Sequence, residues 1–219
     1  MIKELNILME QKTYTQVNEL VARYPQLFDC KINIERAIEV LTTVFENGQC
    51  LYVCGNGGSA ADALHIVGEL TKSFQLKRSL DTTFRENCSD GILVKKLQGA
   101  LPAFALVENS AFFTAFLNDC EPGYVYAQQV YTYARNGDCV LGISTSGNSQ
   151  NVIHAINAAK GRNAVTIGLT GASGGKLIEL CDCCICVPEI ETYKIQELHL
   201  PIYHAICLTL EEHFWGDNQ

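Results

Sequence analysis

Leu51-Tyr52-Val53-Cys54-Gly55-Asn56-Gly57-Gly58-Ser59 is an unbroken apolar run that gives way to glycines and then to a helical pattern reaching about residue 74. A short run with no polar alternation, closed by Gly55, is what a strand buried on both faces of a parallel sheet requires. Working outward, the same grammar recurs downstream. Strands are predicted at 103–107, 139–144, 165–170 and 184–187, and helices at 124–135, 148–160, 174–180 and 194–214. Strands alternating with helices imply βαβ units, so the fold class is α/β, a doubly wound five-stranded parallel sheet. Upstream, residues 2–23 repeat apolar positions at helical spacing (Leu5, Leu8, Met9, Val17, Leu20, Val21) and stop before Pro25. A second helix is predicted over 34–46, with Asn33 as its N-cap and Asn47-Gly48 as its close. The expected organisation is an N-terminal helical pair (1–48) sharing one domain with the sheet (49–219). The polar stretch 75–100, partly helical at 92–97, reads as an insertion or lid.

The 219 residues suit one large domain, and 47% hydrophobic content with 18% charged residues can bury a full core. A net charge of −8 and the lack of any dense Lys/Arg stripe argue against nucleic acid as a partner. No apolar run is long enough to span a bilayer and the N-terminus carries no export-type apolar region, so the expectation is a cytoplasmic protein without a membrane partner. Eleven cysteines, an odd count, then read as reduced thiols. Cys181-Asp-Cys-Cys-Ile-Cys186 lies at the start of a predicted strand, where alternate side chains face opposite ways. Its sulfurs are therefore expected not to converge on one metal ion, and to pack as small apolar groups.

Ligands of open α/β sheets bind at the carboxyl ends of the strands. Two such ends here carry loops suited to an anion. Gly55-Asn56-Gly57-Gly58-Ser59 lets backbone approach closely and then starts a helix, whose N-terminus offers free N–H groups and a positive dipole. Ser144-Thr145-Ser146-Gly147-Asn148-Ser149 puts four hydroxyls at another helix start. Either loop alone could be an ordinary turn, but two in one sheet favour a small phosphorylated ligand. A dinucleotide reading fails, because the best acidic partner, Glu108, is far too distant in sequence. A nucleophile-elbow reading of Gly142–Ser146 lacks the final glycine.

His65 and Glu69, four apart on the helix after the first loop, share a face about 40° wide, suited to holding a metal or moving a proton. The last helix sets Gln196, Glu197, His199 and His204 among apolar residues, so these polar groups need partners in the core, an interface or a site. Gln196 and His204 lie about 12 Å apart along an ideal helix, too far for one ion unless Pro201 bends it or neighbouring subunits contribute. His154 and His213 read as surface residues, and Tyr124, Tyr126, Tyr131 and Tyr133 as packing residues.

On Cys54–Ser59, His65-x-x-x-Glu69-Leu-Thr, Asn118-Asp119, Gly142–Ser149, Leu169-Thr-Gly171 and Ile195-Gln-Glu-Leu-His199, the chain resembles the sugar isomerase (SIS) domain family, in its phosphoheptose isomerase branch. The resemblance covers most of the chain, in order. It implies a flavodoxin-like sandwich and the interconversion of sedoheptulose 7-phosphate and D-glycero-D-manno-heptose 7-phosphate through an enediol. By the same resemblance Ser59, Ser144, Thr145, Ser146 and Ser149 would hold the phosphate. Asn56, Gly57, Gly58, Asn118 and Asp119 would line the sugar. His65, Glu69, Gln196 and His204 match zinc ligands, and Glu69 and His204 match the acid/base pair. The family's homotetramers place sites between subunits. Two departures stand out: the length of the 75–100 segment, and Tyr193 where an aspartate is expected three before Gln196. They keep another sugar phosphate in play, and a non-catalytic sugar-phosphate-binding regulator is the alternative from a different class.

Overall fold

The computed structural model describes residues 14–216. The expected helix positions Leu5, Leu8 and Met9 lie outside them. Helix α1 spans Thr15–Arg23, and a 3-10 turn over Pro25–Cys30 leads directly into α2, Lys31–Glu46. Asn33 is therefore inside α2 rather than its N-cap: the preceding turn delivers the chain already helical, so no capping residue is needed there. Strand β1 (Leu51–Gly55) is followed by α3 (Gly58–Thr71), then by two short helices, α4 (Thr82–Asn87) and α5 (Gly91–Lys96). Each short helix is capped by an aspartate, Asp81 accepting from Phe84 N and Asp90 from Ile92 N and Leu93 N, and neither buries a residue.

Strand β2 (Ala103–Ala105) precedes α6 (Ser110–Asp119), a helix not read from the sequence, and α7 (Val125–Tyr133). Then come β3 (Cys139–Ile143), α8 (Gln150–Gly161), β4 (Val165–Thr170), a single turn α9 (Leu177–Leu180), β5 (Cys183–Cys186) and α10 (Thr192–Trp215). The five strands are all parallel, in the order β2-β1-β3-β4-β5.

Alternation within the strands feeds two cores. Val53, Leu141, Ile167 and Ile185 face one side, where Ile34 and Ile38 of α2, Ile66 and Leu70 of α3, and Ile202 and Leu210 of α10 cover them. Tyr52, Cys54 and Val140 face the other, against Val130 of α7 and Ile153 and Ile156 of α8. Each such buried aliphatic contributes about 1.5–3 kcal/mol, so the sheet is a rigid frame for the loops at its carboxyl edge. The N-terminal helices share the first core with the sheet, through Val17, Leu20 and Leu41. The cysteine run behaves as its alternation requires: Cys183 enters the first core, while Cys184 packs on the second, its Sγ 3.8 Å from that of Cys186.

The 75–100 segment is pinned at its base. Glu211 of α10 accepts hydrogen bonds from the Phe74, Gln75 and Leu76 amides at 2.7, 2.8 and 3.0 Å and pairs with Arg78 Nε at 2.7 Å. Arg78 also donates to the carbonyls of Leu70 and Glu69, both at 2.7 Å, which closes the C-terminal end of α3. Burial alone would raise the Glu211 carboxyl. The three amides and the guanidinium outweigh it and hold the group below the usual carboxylate range.

Candidate active site

The strand order reverses between β1 and β3, whose carboxyl ends carry the two glycine- and serine-rich loops. This is the crevice where open α/β sheets take ligands. Asn56 and Asn151 exchange side-chain hydrogen bonds of 2.9 and 2.8 Å, tying the first loop to the start of α8. Tyr126 donates its hydroxyl to Gly55 O at 2.5 Å, bracing the first loop from below.

In the second loop Ser144 donates to Ser149 Oγ at 3.0 Å, and Asn148 N donates to Ser146 Oγ at 3.1 Å. Gly147 has φ +64°, and a Cβ there would collide with the Gly174 backbone, so only glycine makes this turn. Ser59 and Ser144 are buried, Thr145 and Ser149 half-buried, and Ser146, Asn56, Gly57 and Gly58 exposed, giving a cup with hydroxyls in its floor and open backbone at its rim. Neither α3 nor α8 has a side-chain bond from its cap residue; Asn151 Oδ1 takes the Val152 amide at 3.0 Å and Asn56 O takes Ser59 N at 3.0 Å, so an anion meets the first amide or two of each helix.

Two turns along α3 from the first loop, His65 Nε2 lies 3.3 Å from Glu69 Oε1 and 3.4 Å from His204 Nε2 of α10. Glu69 is held further by Lys72 Nζ at 3.1 Å. Burial, then the neighbouring His65, lowers the pKa of His204, so its imidazole is neutral at pH 7. A cavity of about 300 Å³ reaches His204 and is walled by Arg23, Glu197, Leu200 and Pro201 among others.

The same three side chains bear on a metal. Nitrogen and oxygen donors about 2.0–2.1 Å from a tetrahedral zinc ion lie about 3.3–3.4 Å from one another, and both separations match such an edge. Two imidazoles and a carboxylate are also zinc's usual hard-to-borderline donors, so the set fits the ion in kind. Even so, among the described residues no group of three or more His, Cys, Asp or Glu is arranged so that it could hold a metal ion.

Gln196 stands apart from this cluster. Its amide packs on Gly58, where a Cβ would lie 2.5 Å from Gln196 Nε2, at the phosphate-loop end of α3. Helix α10 runs through Pro201 as one element, and the eight-residue separation keeps Gln196 and His204 on different stretches of α3. Asn118 and Asp119, at the exposed end of α6, bond to each other at 2.7 Å. Tyr193 is 58% exposed at the start of α10.

Asp62, Tyr203 and Asn151 shape the site and were not singled out from the sequence, whereas His199 was, as a polar group on an apolar helix. Tyr203 contacts the far side of His65 and bonds in turn to Asp62, and Asn151 joins the loops. His199 is wholly buried, with Nε2 3.3 Å from Thr170 O, and burial lowers its pKa to about 4.

Fold and site together define a sugar-phosphate-binding α/β domain of the SIS type. Two SIS domain models match the chain, over residues 15–85 and 112–211. The phosphoheptose isomerase of a Nitratiruptor species is 37% identical over 211 residues, 96% of this chain and 97% of that protein. The solved phosphoheptose isomerase of Neisseria gonorrhoeae superposes with a TM-score of 0.67 at 32% identity, over 89% of this chain and 98% of that one. The Francisella tularensis enzyme superposes at 0.70 and 28%, over 90% and 99%. The chain belongs to the phosphoheptose isomerase family of SIS-domain proteins.

Proposed function

We propose that this protein isomerises sedoheptulose 7-phosphate to D-glycero-D-manno-heptose 7-phosphate, with the phosphate in the serine-rich cup and the reacting carbons beside Glu69 and His204. The observation that carries the reading is the meeting of Glu69, His65 and His204 from two helices, at 3.3 and 3.4 Å, next to a two-loop anion cradle. The phosphate is held by Ser59, Ser144, Thr145, Ser146 and Ser149, and the sugar passes Asn56, Gly57 and Gly58 toward α3.

Aldose–ketose exchange needs a base to take the proton from the carbon beside the carbonyl and an acid to return one to the neighbouring carbon of the enediol. Glu69, oriented by Lys72, takes the first proton. Neutral His204 moves the hydroxyl proton between the two oxygen atoms, and the protonated Glu69 makes the return step to the neighbouring carbon. A zinc ion held by His65, Glu69 and His204 would polarise the substrate carbonyl and steady the developing negative charge. Gln196, which packs on Gly58, and Asn118-Asp119 complete the site on the substrate side or across a subunit boundary.

Exposed apolar side chains on several elements, Phe104, Leu117, Tyr131, Tyr133 and Leu200, support a homotetramer with sites between subunits. Among the described residues no helix is long and apolar enough to cross a membrane. A phosphorylated metabolite as substrate supports a cytoplasmic location.

Running the reaction in D2O tests the chemistry. Proton return from a protein group places deuterium at C2 of the heptose product. Product formed without deuterium at C2 would refute return by a solvent-exchanged group and leave direct transfer from C1 to C2, and binding of the heptulose phosphate without product would favour the regulatory alternative. A substrate panel in which another ketose phosphate is turned over far faster would assign the site to that sugar.

A further inference from the structure

We propose that Asp62 and Tyr203 form a relay that fixes the tautomer of His65, making Tyr203 a positioning residue for the acid/base and metal cluster. The proposal deepens the functional reading above and rests on it for the role of the cluster. Its structural content stands on three contacts. The Tyr203 hydroxyl lies 3.0 Å from His65 Nδ1 and donates to Asp62 Oδ1 at 3.3 Å. The rings of His65 and Tyr203 meet edge to face, their centroids 5.4 Å apart. Asp62 Oδ2 is buried with no hydrogen-bond partner, which leaves the phenol's contact with Oδ1 as the hydrogen bond the described residues supply to this carboxylate.

The proton count follows from the donors available. A phenol has one hydrogen. If it goes to the Asp62 carboxylate, the contact with His65 is satisfied only by an Nδ1–H donating to the phenol oxygen. His65 is then the Nδ1–H tautomer, and its Nε2 presents a bare lone pair. That lone pair faces the space between Glu69 Oε1 and His204 Nε2, 3.3 and 3.4 Å away, where the Nε2–H of His204 or a cation satisfies it. An imidazole free in water prefers the opposite tautomer, with the hydrogen on Nε2. Left alone, His65 would direct an N–H into the place where a cation or substrate oxygen must sit. Ligating histidines are commonly set by a carboxylate on their other nitrogen. Here the carboxylate acts through an intervening tyrosine, because Asp62 lies one turn before His65 on the same helix and α10 brings the hydroxyl between them.

The test uses the full chain, freed of metal and 15N-labelled at histidine, as wild type, Tyr203→Phe and Asp62→Asn. Long-range 15N–1H correlation reads the His65 tautomer directly. Wild type is expected to show Nδ1–H, and Tyr203→Phe to shift to mainly Nε2–H. Zinc affinity, measured by competition with a chelator, is expected to fall 10–100-fold in Tyr203→Phe. Asp62→Asn, which keeps the volume, is expected to move both readouts the same way. An Nε2–H tautomer in wild type, or an unchanged tautomer in both variants, would overturn the proposal. The expected tautomers in a wild-type protein that binds no zinc would uphold the relay and remove the metal from the functional reading.

Discussion

Replacing Glu211 by Gln probes the joint that ties the 75–100 segment to the helix bearing His65 and Glu69. The wild-type carboxylate accepts four hydrogen bonds, from three backbone amides and Arg78 Nε, at 2.7–3.0 Å. Both members of the ion pair are buried, Arg78 at 0% and Glu211 at 1% side-chain exposure. Glutamine keeps the shape but turns an NH2 group toward donors and leaves the guanidinium without its counter-charge. Removing one partner of such a buried pair costs about 3–5 kcal/mol. For a chain of this size that corresponds to a fall in Tm of about 6–20 °C, at about 2–4 °C per kcal/mol. The assay is guanidinium unfolding followed by circular dichroism, read as a midpoint shift at unchanged slope. Glu35→Gln is the control. Its partner Lys31 is 3.8 Å away and both are partly exposed, so the loss there stays within about 1 kcal/mol. The Glu211 carboxyl titrates below its ordinary value in the folded state. Its stabilisation is therefore present above that ordinary value and lost as pH falls through the lowered one, and Glu211→Gln removes this acid-side slope. A loss under about 1 kcal/mol for Glu211→Gln would refute the reasoning, because it would mean the pair is already solvated.

Three further outcomes are expected. His199 titrates near 4 when folded, against about 6.5 when free. It therefore makes no difference above that ordinary value, and stability declines between about pH 6.5 and 4 by up to about 3 kcal/mol as the unfolded chain takes a proton the folded one refuses. Denaturation midpoints across that range, wild type beside His199→Gln, should show the variant flatter. Gly147→Ala forces a side chain into the left-handed region and against Gly174, which costs about 1–2 kcal/mol before the clash and displaces the phosphate cup. Kinetics should show KM for the sugar phosphate raised at least tenfold. Thiol labelling of the native protein should modify Cys120, which is exposed, within minutes, and leave buried Cys54, Cys139 and Cys207 for hours. Burial raises all three buried thiols, Cys54 and Cys207 to about 12, which suppresses the reactive thiolate.

The sheet was legible because its strands carry local signals. Leu51–Gly55 is an uninterrupted apolar run and Val165–Thr170 a short β-branched one, each bounded by turn residues, and both form strands as read. Helix α6 was not legible: Ser110–Asp119 buries no residue fully, and its Phe112, Phe113 and Phe116 only part-bury against the second core, a weak stripe to reveal its period. Asn33 looked like a cap because a cap is a local inference, whereas the turn at Pro25–Cys30 decides where α2 begins.

The loops and the His65/Glu69 pair were readable as spacing on one element. The relay behind His65 was not, since Tyr203 lies 138 positions away in an apolar run where a tyrosine passes for core. Arg78 and Glu211 are likewise 133 apart, and nothing local distinguishes a buried arginine from a surface one in a charged segment. The motif match placed Gln196 in the sequence, and the register of α10 against α3 sets its amide against Gly58.

Turnover of sedoheptulose 7-phosphate by the purified protein supplied with zinc, wild type beside Glu69→Gln, is the most direct measurement. The account predicts formation of the aldoheptose 7-phosphate by wild type and at least a hundredfold loss in the variant, which keeps the shape of the side chain and removes its basicity. Equal turnover by the two proteins, or no turnover by wild type under conditions where it binds the substrate, would contradict it.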